Sequence, residues 1–157
     1  MKPINSVLFV CMGNICRSPT GEAVFRQKAG DAGLSIEVDS AGTIAHHQGE
    51  QADPRSRAAG EQRGYSFKGQ TARQVTDADF VHFDLILAAD SANLSDLQAA
   101  CPEEFQHKLK LMLSFIGADE NKEVPDPYYG AGNGFELVLD LIEESCDNLI
   151  NKIKVNE

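Results

Sequence analysis

Residues Val7 to Pro19, Val-Leu-Phe-Val-Cys-Met-Gly-Asn-Ile-Cys-Arg-Ser-Pro, constrain this chain more than any other stretch. The apolar, β-branched run Val7–Val10 has the length of a buried strand, and the segment after Pro19 reads as a helix. Strand, tight loop and helix N-terminus together form an anion site. Inward-facing backbone N–H groups and the positive end of the helix dipole cradle a phosphate without a metal. Met12, Gly13, Asn14, Ile15, Cys16 and Ser18 would form that loop, with Ser18-Pro19 suited to the N-cap and first turn.

The cradle carries its own chemistry. A thiol at this position, Cys11, is expected to serve as a nucleophile, favoured by the helix terminus, a neighbouring guanidinium and a hydroxyl from Ser18. Arg17, six residues on, offers a planar fork for two phosphoryl oxygens, a geometry lysine lacks. A bare Cys-x5-Arg pair arises by chance in about one chain in seven of this composition, so the strand, the glycine and the Ser-Pro pair carry the inference. The plain alternative is a buried cysteine and a solvated arginine.

The departing oxygen of a phosphate ester needs a proton, because even a phenol, with a pKa of about 10, leaves poorly as an anion. Two Asp-Pro pairs are available. Asp53 fits a helix N-cap, which accounts for it fully; Asp126 lies between Pro125 and Pro127, whose rings restrict the backbone around the carboxyl. Asp126 is therefore the candidate acid, with a turn-forming aspartate as the alternative. Tyr128 and Tyr129 follow and would wall a cleft deep enough for a phenyl phosphate; packing alone is their other role.

Cys11-Met12-Gly13-Asn14-Ile15-Cys16-Arg17-Ser18-Pro19 resembles the signature of the low-molecular-weight protein-tyrosine phosphatases, and Asp126-Pro127-Tyr128-Tyr129 resembles their acid loop. The likeness covers essentially the whole chain. Asp39–Thr43, Asp53-Pro54-Arg55, Ala72-Arg73-Gln74 and Asp90-x-x-Asn93-Leu94 fall in the family's order. The resemblance implies a metal-independent phosphotyrosine hydrolase using Cys11, Arg17 and Asp126 through a cysteinyl-phosphate, with no cofactor. It also implies that Asn14 holds the loop, with Ser40 among its partners, and that Tyr128 and Tyr129 are phosphorylation targets. Relatives often place a histidine where Gln70 stands, and an aromatic residue where His46 and His47 stand; these two histidines are cleft candidates or exposed loop residues. The expected partner is a phosphotyrosine-containing protein, a tyrosine kinase among the candidates, and the expected state a monomer or weak homodimer.

Rival chemistries are disfavoured by particular residues. Thiol-coupled arsenate reduction needs a relay of further cysteines, and 70–100 contains none. Phosphoarginine phosphatases resemble this loop but tend to carry threonine where Ile15 stands. A non-catalytic phosphate-binding module would have no use for both Cys11 and Asp126. Cys16, beside Cys11, could trap an oxidised Cys11 as a disulfide or simply pack in the loop. Cys101 and Cys146 read as core residues.

The 157 residues suit one α/β domain spanning 1–157, able to bury about 70% of its unfolded surface. Twenty-four acidic against fourteen basic residues, a net charge of −10, disfavour nucleic acid and leave phosphate capture to the local donors. Neither a membrane span nor a signal-peptide pattern is evident, and the four cysteines show neither a disulfide framework nor zinc spacing, so a cytoplasmic location is expected. Along the chain we expect helices over 18–32, 53–64, 91–100 and 134–154, strands over 35–39, 84–88 and 108–115, and a loop over 40–49. Alternating strands and helices imply a parallel sheet covered on both faces; its four-stranded, flavodoxin-like form is implied by the resemblance.

Overall fold

The computed structural model describes residues 3–116, 123–127 and 134–155. The first strand, β1 (Ser6–Cys11), is buried along its whole length because it is the second strand of a sheet covered on both sides. Its alternating side chains divide the core. Val7, Phe9 and Cys11 face one cluster, while Leu8 and Val10 face the other. β2 (Glu37–Gly42) and β3 (Leu85–Ala88) pair with β1 in parallel, and β4 (Leu109–Leu111) pairs with β3, giving the order β2-β1-β3-β4. This is the expected α/β sheet, with all four strands parallel.

Helices α1 (Arg17–Asp31), α2 (Pro54–Gln62) and α5 (Gly134–Val155) cover one face of the sheet. Close approach of α1 to β1 depends on Gly21: a Cβ there would lie 2.5 Å from the Phe9 ring. α5 buries an apolar stripe from Val138 to Ile153, Cys146 included, with Phe135 and Leu141 partly buried beside it. Asp53 caps α2 through the Arg55 N–H, and the Arg55 guanidinium holds its carboxyl below the usual range. On the other face lie α3 (Asp77–His82) and α4 (Ser91–Ala100).

Several elements differ from expectation. The run 108–115 is not one strand: only Leu109–Leu111 pair with β3, and Met112–Phe115 winds into a 3-10 turn. There Ser145 donates to the Met112 carbonyl and Asn148 donates to that of Phe115, so α5 takes the place of a neighbouring strand. β2 extends to Gly42, which places Ser40 in the sheet rather than in the loop. α3 was not anticipated; its six residues bury one large apolar side chain, Phe80.

What starts α3 is a capping box between Thr76 and Asp79. Asp79 also receives two hydrogen bonds from Arg73, at 2.9 and 3.0 Å. Burial would raise the Asp79 pKa, but the bonds from Arg73 and Thr76 outweigh it and hold the carboxyl below its ordinary value. A depressed folded-state pKa gives stability that is complete above the unfolded value, about 4, and is lost as pH falls through the folded one. Asp79→Asn should therefore lower unfolding free energy at pH 7 by about 1–3 kcal/mol, and its deficit against wild type should shrink by pH 3, as read from urea titrations. Gly21→Ala should cost about 1–3 kcal/mol through overpacking against Phe9, in the same assay at pH 7.

Candidate active site

At the C-terminal end of β1 the chain must turn back into α1 within five residues. It does so with its carbonyls engaged on the outside: those of Cys11, Met12, Ile15 and Cys16 accept from the N–H groups of Thr43, Ile44, Asp53 and Thr20. Because the trans peptide sets each C=O opposite the following N–H, the amides of Met12, Gly13, Cys16 and Arg17 are directed the other way, into the loop. Asn14 makes the turn at φ 59°, the one non-glycine residue with positive φ among those described. Gly13 lies under His47, whose ring carbon would sit 2.9 Å from a Cβ there.

Asn14 is held by its own side chain. Its Oδ1 accepts from the Arg73 N–H at 3.0 Å, so the amide nitrogen must face the other way, donating to Ser18 Oγ at 2.8 Å and Ser40 Oγ at 3.0 Å. Ser40 in turn donates to the buried Glu22 carboxylate at 2.7 Å, whose second oxygen takes Arg26 at 2.5 Å. Proton positions follow from these contacts. Ser18 accepts from Asn14 and keeps its own hydrogen for Cys11 Sγ, 3.0 Å away, or for the more distant Ala41 carbonyl at 3.4 Å. The Ser18 N–H also points at the sulfur, at 3.4 Å. Glu22 and Arg73 were given no role by sequence reasoning, because they act through Ser40 and Asn14 across the fold. Gln70 reaches the Pro19 carbonyl instead, at 3.1 Å.

The helix starts earlier than the Ser-Pro pair suggests. Cys16 is the N-cap, and Arg17, Ser18 and Pro19 form the first turn, which frees the Ser18 hydroxyl for the sulfur. Burial pushes the Cys16 thiol up to about 12, against an opposing hydrogen bond with Ser56 and with Asp53 adding to the rise. Cys16 is therefore a neutral thiol at physiological pH. Cys101 and Cys146, also raised by burial, lie in the core.

Arg17 is only 3% exposed, yet fully charged. Burial disfavours the cation, but the hydrogen bond to Asp90 and the nearby negative charge outweigh it and raise the pKa. One guanidinium nitrogen donates to Asp90 at 2.7 Å and to the Val124 carbonyl at 3.0 Å; the other stands 3.7 Å from Asp126. Asp90 is also the N-cap of α4, accepting from the Asn93 N–H at 2.8 Å. The sequence offered its order in the family pattern, but not this role.

Cys11, Met12, Gly13, Ile15, Cys16, Arg17, His47 and Asp126 line one cleft with about 350 Å³ of open space. The two histidines separate: His47 lines the cleft and meets Glu50 at 3.1 Å, whereas exposed His46 stacks edge-on against His47 outside the lining. Tyr128 and Tyr129 lie outside the described residues. Among the described residues, no group of three or more His, Cys, Asp or Glu could hold a metal ion, and no helix is long and apolar enough to cross a membrane.

Residues 6–157 match the family described as low molecular weight phosphotyrosine protein phosphatase. The chain is 40% identical over 152 residues to the human low molecular weight phosphotyrosine protein phosphatase, covering 94% of each chain. Among solved structures, it superposes with a TM-score of 0.91 on a protein tyrosine phosphatase from Entamoeba histolytica with Hepes in its active site, at 43% identity over 96% of this chain and 97% of the other. Vibrio vulnificus Wzb in complex with benzylphosphonate gives 0.85 at 30% identity, over 95% and 99%. With the Cys11–Arg17 loop at a parallel-sheet end and the likeness running nearly end to end, this chain belongs to the low molecular weight phosphotyrosine protein phosphatase family and is a phosphatase, a hydrolase.

Proposed function

We propose that the protein hydrolyses phosphotyrosine in proteins through a cysteinyl-phosphate, without a metal. One observation carries this reading: Cys11 and Asp126 line the same cleft, with the Arg17 guanidinium 3.7 Å from the Asp126 carboxylate. The Cys11 thiolate attacks phosphorus as the bond to the tyrosyl oxygen breaks, and protonated Asp126 gives its proton to that oxygen. Asp126, now a carboxylate, takes a proton from the water that attacks phosphorus. The S–P bond then breaks, releasing inorganic phosphate and restoring the thiolate. Charge gathering on the equatorial oxygens is met by the loop amides and the Arg17 fork.

Apolar Ile15 and Met12 beside the imidazole of His47 suit a phenyl ring better than a charged phosphoguanidine. The benzylphosphonate bound by the Vibrio relative has the same aryl-and-anion form. A thiol-based cycle requires a reducing compartment, which supports a cytoplasmic location, and the free state of all four cysteines is compatible with it. The partner we infer is a phosphotyrosine-containing protein.

In a p-nitrophenyl phosphate assay with chelator and no added metal, the wild type should turn over, and Cys11→Ser should be inactive while still binding phosphate. Asp126→Ala should lower kcat/KM for phenyl phosphate by about 10²–10⁴-fold, and less for p-nitrophenyl phosphate, whose leaving group needs less protonation. Equal losses would refute the acid assignment. Mild peroxide should convert Cys11 to a sulfenic acid that the Cys16 thiol captures with loss of water. Peptide mass spectrometry should then find a Cys11–Cys16 disulfide, and its absence would leave Cys16 a packing residue.

A further inference from the structure

Asp126 sits in a segment with no regular secondary structure, 123–127, and an acid that must meet a leaving oxygen within hydrogen-bond reach needs a fixed backbone. Three contacts fix it. The Val124 N–H donates to the Ala89 carbonyl just past β3, at 2.8 Å, and the Val124 carbonyl accepts from Arg17 at 3.0 Å, with its side chain 1% exposed. The third is made by a side chain. Glu123 Oε2 accepts from the Ser91 N–H, the first residue of α4, at 2.6 Å.

That N–H is one of the donors a helix leaves without an intrahelical partner, and a carboxylate there also meets the positive end of the dipole. Two carboxylates thus share the start of α4. Asp90 caps the Asn93 N–H and turns its other oxygen to Arg17; Glu123 takes the Ser91 N–H and ties down the segment that carries Asp126. Only Val124 and Pro125 stand between Glu123 and Asp126, and Pro127 follows, so two of the φ angles around the acid are set by rings and Glu123 bears on the acid together with the contacts of Val124.

We propose that Glu123 is a positioning residue for the general acid: by holding the start of α4 it sets the distance from the Asp126 carboxyl to the leaving oxygen, and leaves the phosphate cradle to Arg17 and Asp90. This deepens the function proposed above and rests on Asp126 being the acid. Glu123 itself touches neither sulfur nor cleft among the contacts described.

The test compares wild type, Glu123→Ala, Glu123→Gln and Asp126→Ala on aryl phosphates of graded leaving-group pKa, with inorganic phosphate as competitive inhibitor. Glu123→Ala should lower kcat/KM for phenyl phosphate by about ten-fold and for p-nitrophenyl phosphate by less than about three-fold, steepening the leaving-group dependence. The phosphate inhibition constant should stay within about two-fold, because Arg17 keeps Asp90. Glu123→Gln, whose amide oxygen can still accept from Ser91, should restore most of the phenyl phosphate rate. Parallel losses on both substrates, a phosphate constant that moves with them, or a Gln variant as damaged as Ala would overturn the proposal. Asp126→Ala separates the two claims. If it leaves the leaving-group slope unchanged, the acid assignment falls; if it steepens the slope and Glu123→Ala does not, the positioning role alone falls.

Discussion

A single left-handed residue decides what the end of β1 can do. Asn14 takes φ 59°, a conformation costing an L-residue on the order of 1–2 kcal/mol, and with it the loop turns its carbonyls outward and its amides inward. Three hydrogen bonds made by one side-chain amide, accepting from the Arg73 N–H and donating to Ser18 and Ser40, offset that strain. The bonds from the amide nitrogen make both hydroxyls acceptors toward Asn14, and so leave the Ser18 proton for Cys11 or the Ala41 carbonyl. Strain, loop shape and polarity at the sulfur are one arrangement, anchored at its far ends by Glu22 with Arg26 and by Arg73 with Asp79.

Buried charge is the second organising element. A guanidinium 3% exposed would be costly without partners, and Arg17 has a carboxylate and a carbonyl on one nitrogen and the Asp126 carboxylate near the other. The partners come from two parts of the chain, Asp90 at the start of α4 and Val124 with Asp126 in the 123–127 segment, so the arginine is satisfied only when both are seated against the loop. Arg17 and Asp126 are therefore held by one shared set of contacts.

Local patterns made much of this legible. β1 is a solid apolar run ending in Cys11, the stripe of α5 repeats every three to four residues, and Asp53-Pro54 starts α2. Where the local signal was weak or misleading, the reason is physical. α3 is six residues long with one large apolar side chain buried, too short for a periodicity to show, and it owes its start to a Thr76–Asp79 box and an arginine from outside the helix. The run after Lys108 has strand composition throughout, but the carbonyls of Met112 and Phe115 are taken by side chains of α5, and the sheet ends three residues in. The offset of the helix start to Cys16 follows from the loop itself: Ser18 is spent on the sulfur and is not available as a cap.

By itself, the order of residues determined that a cysteine and an arginine six apart would flank a strand-to-helix turn, because apolar runs, Gly13 and the Ser-Pro pair act over a few bonds. It determined also that Asp126 would be held between two proline rings. Only the tertiary structure decided which groups complete them: that Asp90 grips Arg17, that Glu22 ends the chain of hydrogen bonds from Cys11, that His47 and not His46 reaches the cleft, and that Glu123 caps α4. Such pairings join residues separated by tens of positions through bonds of about 3 Å, and hydrogen-bond geometry at that range is set by how helices pack on the sheet, which no local pattern encodes.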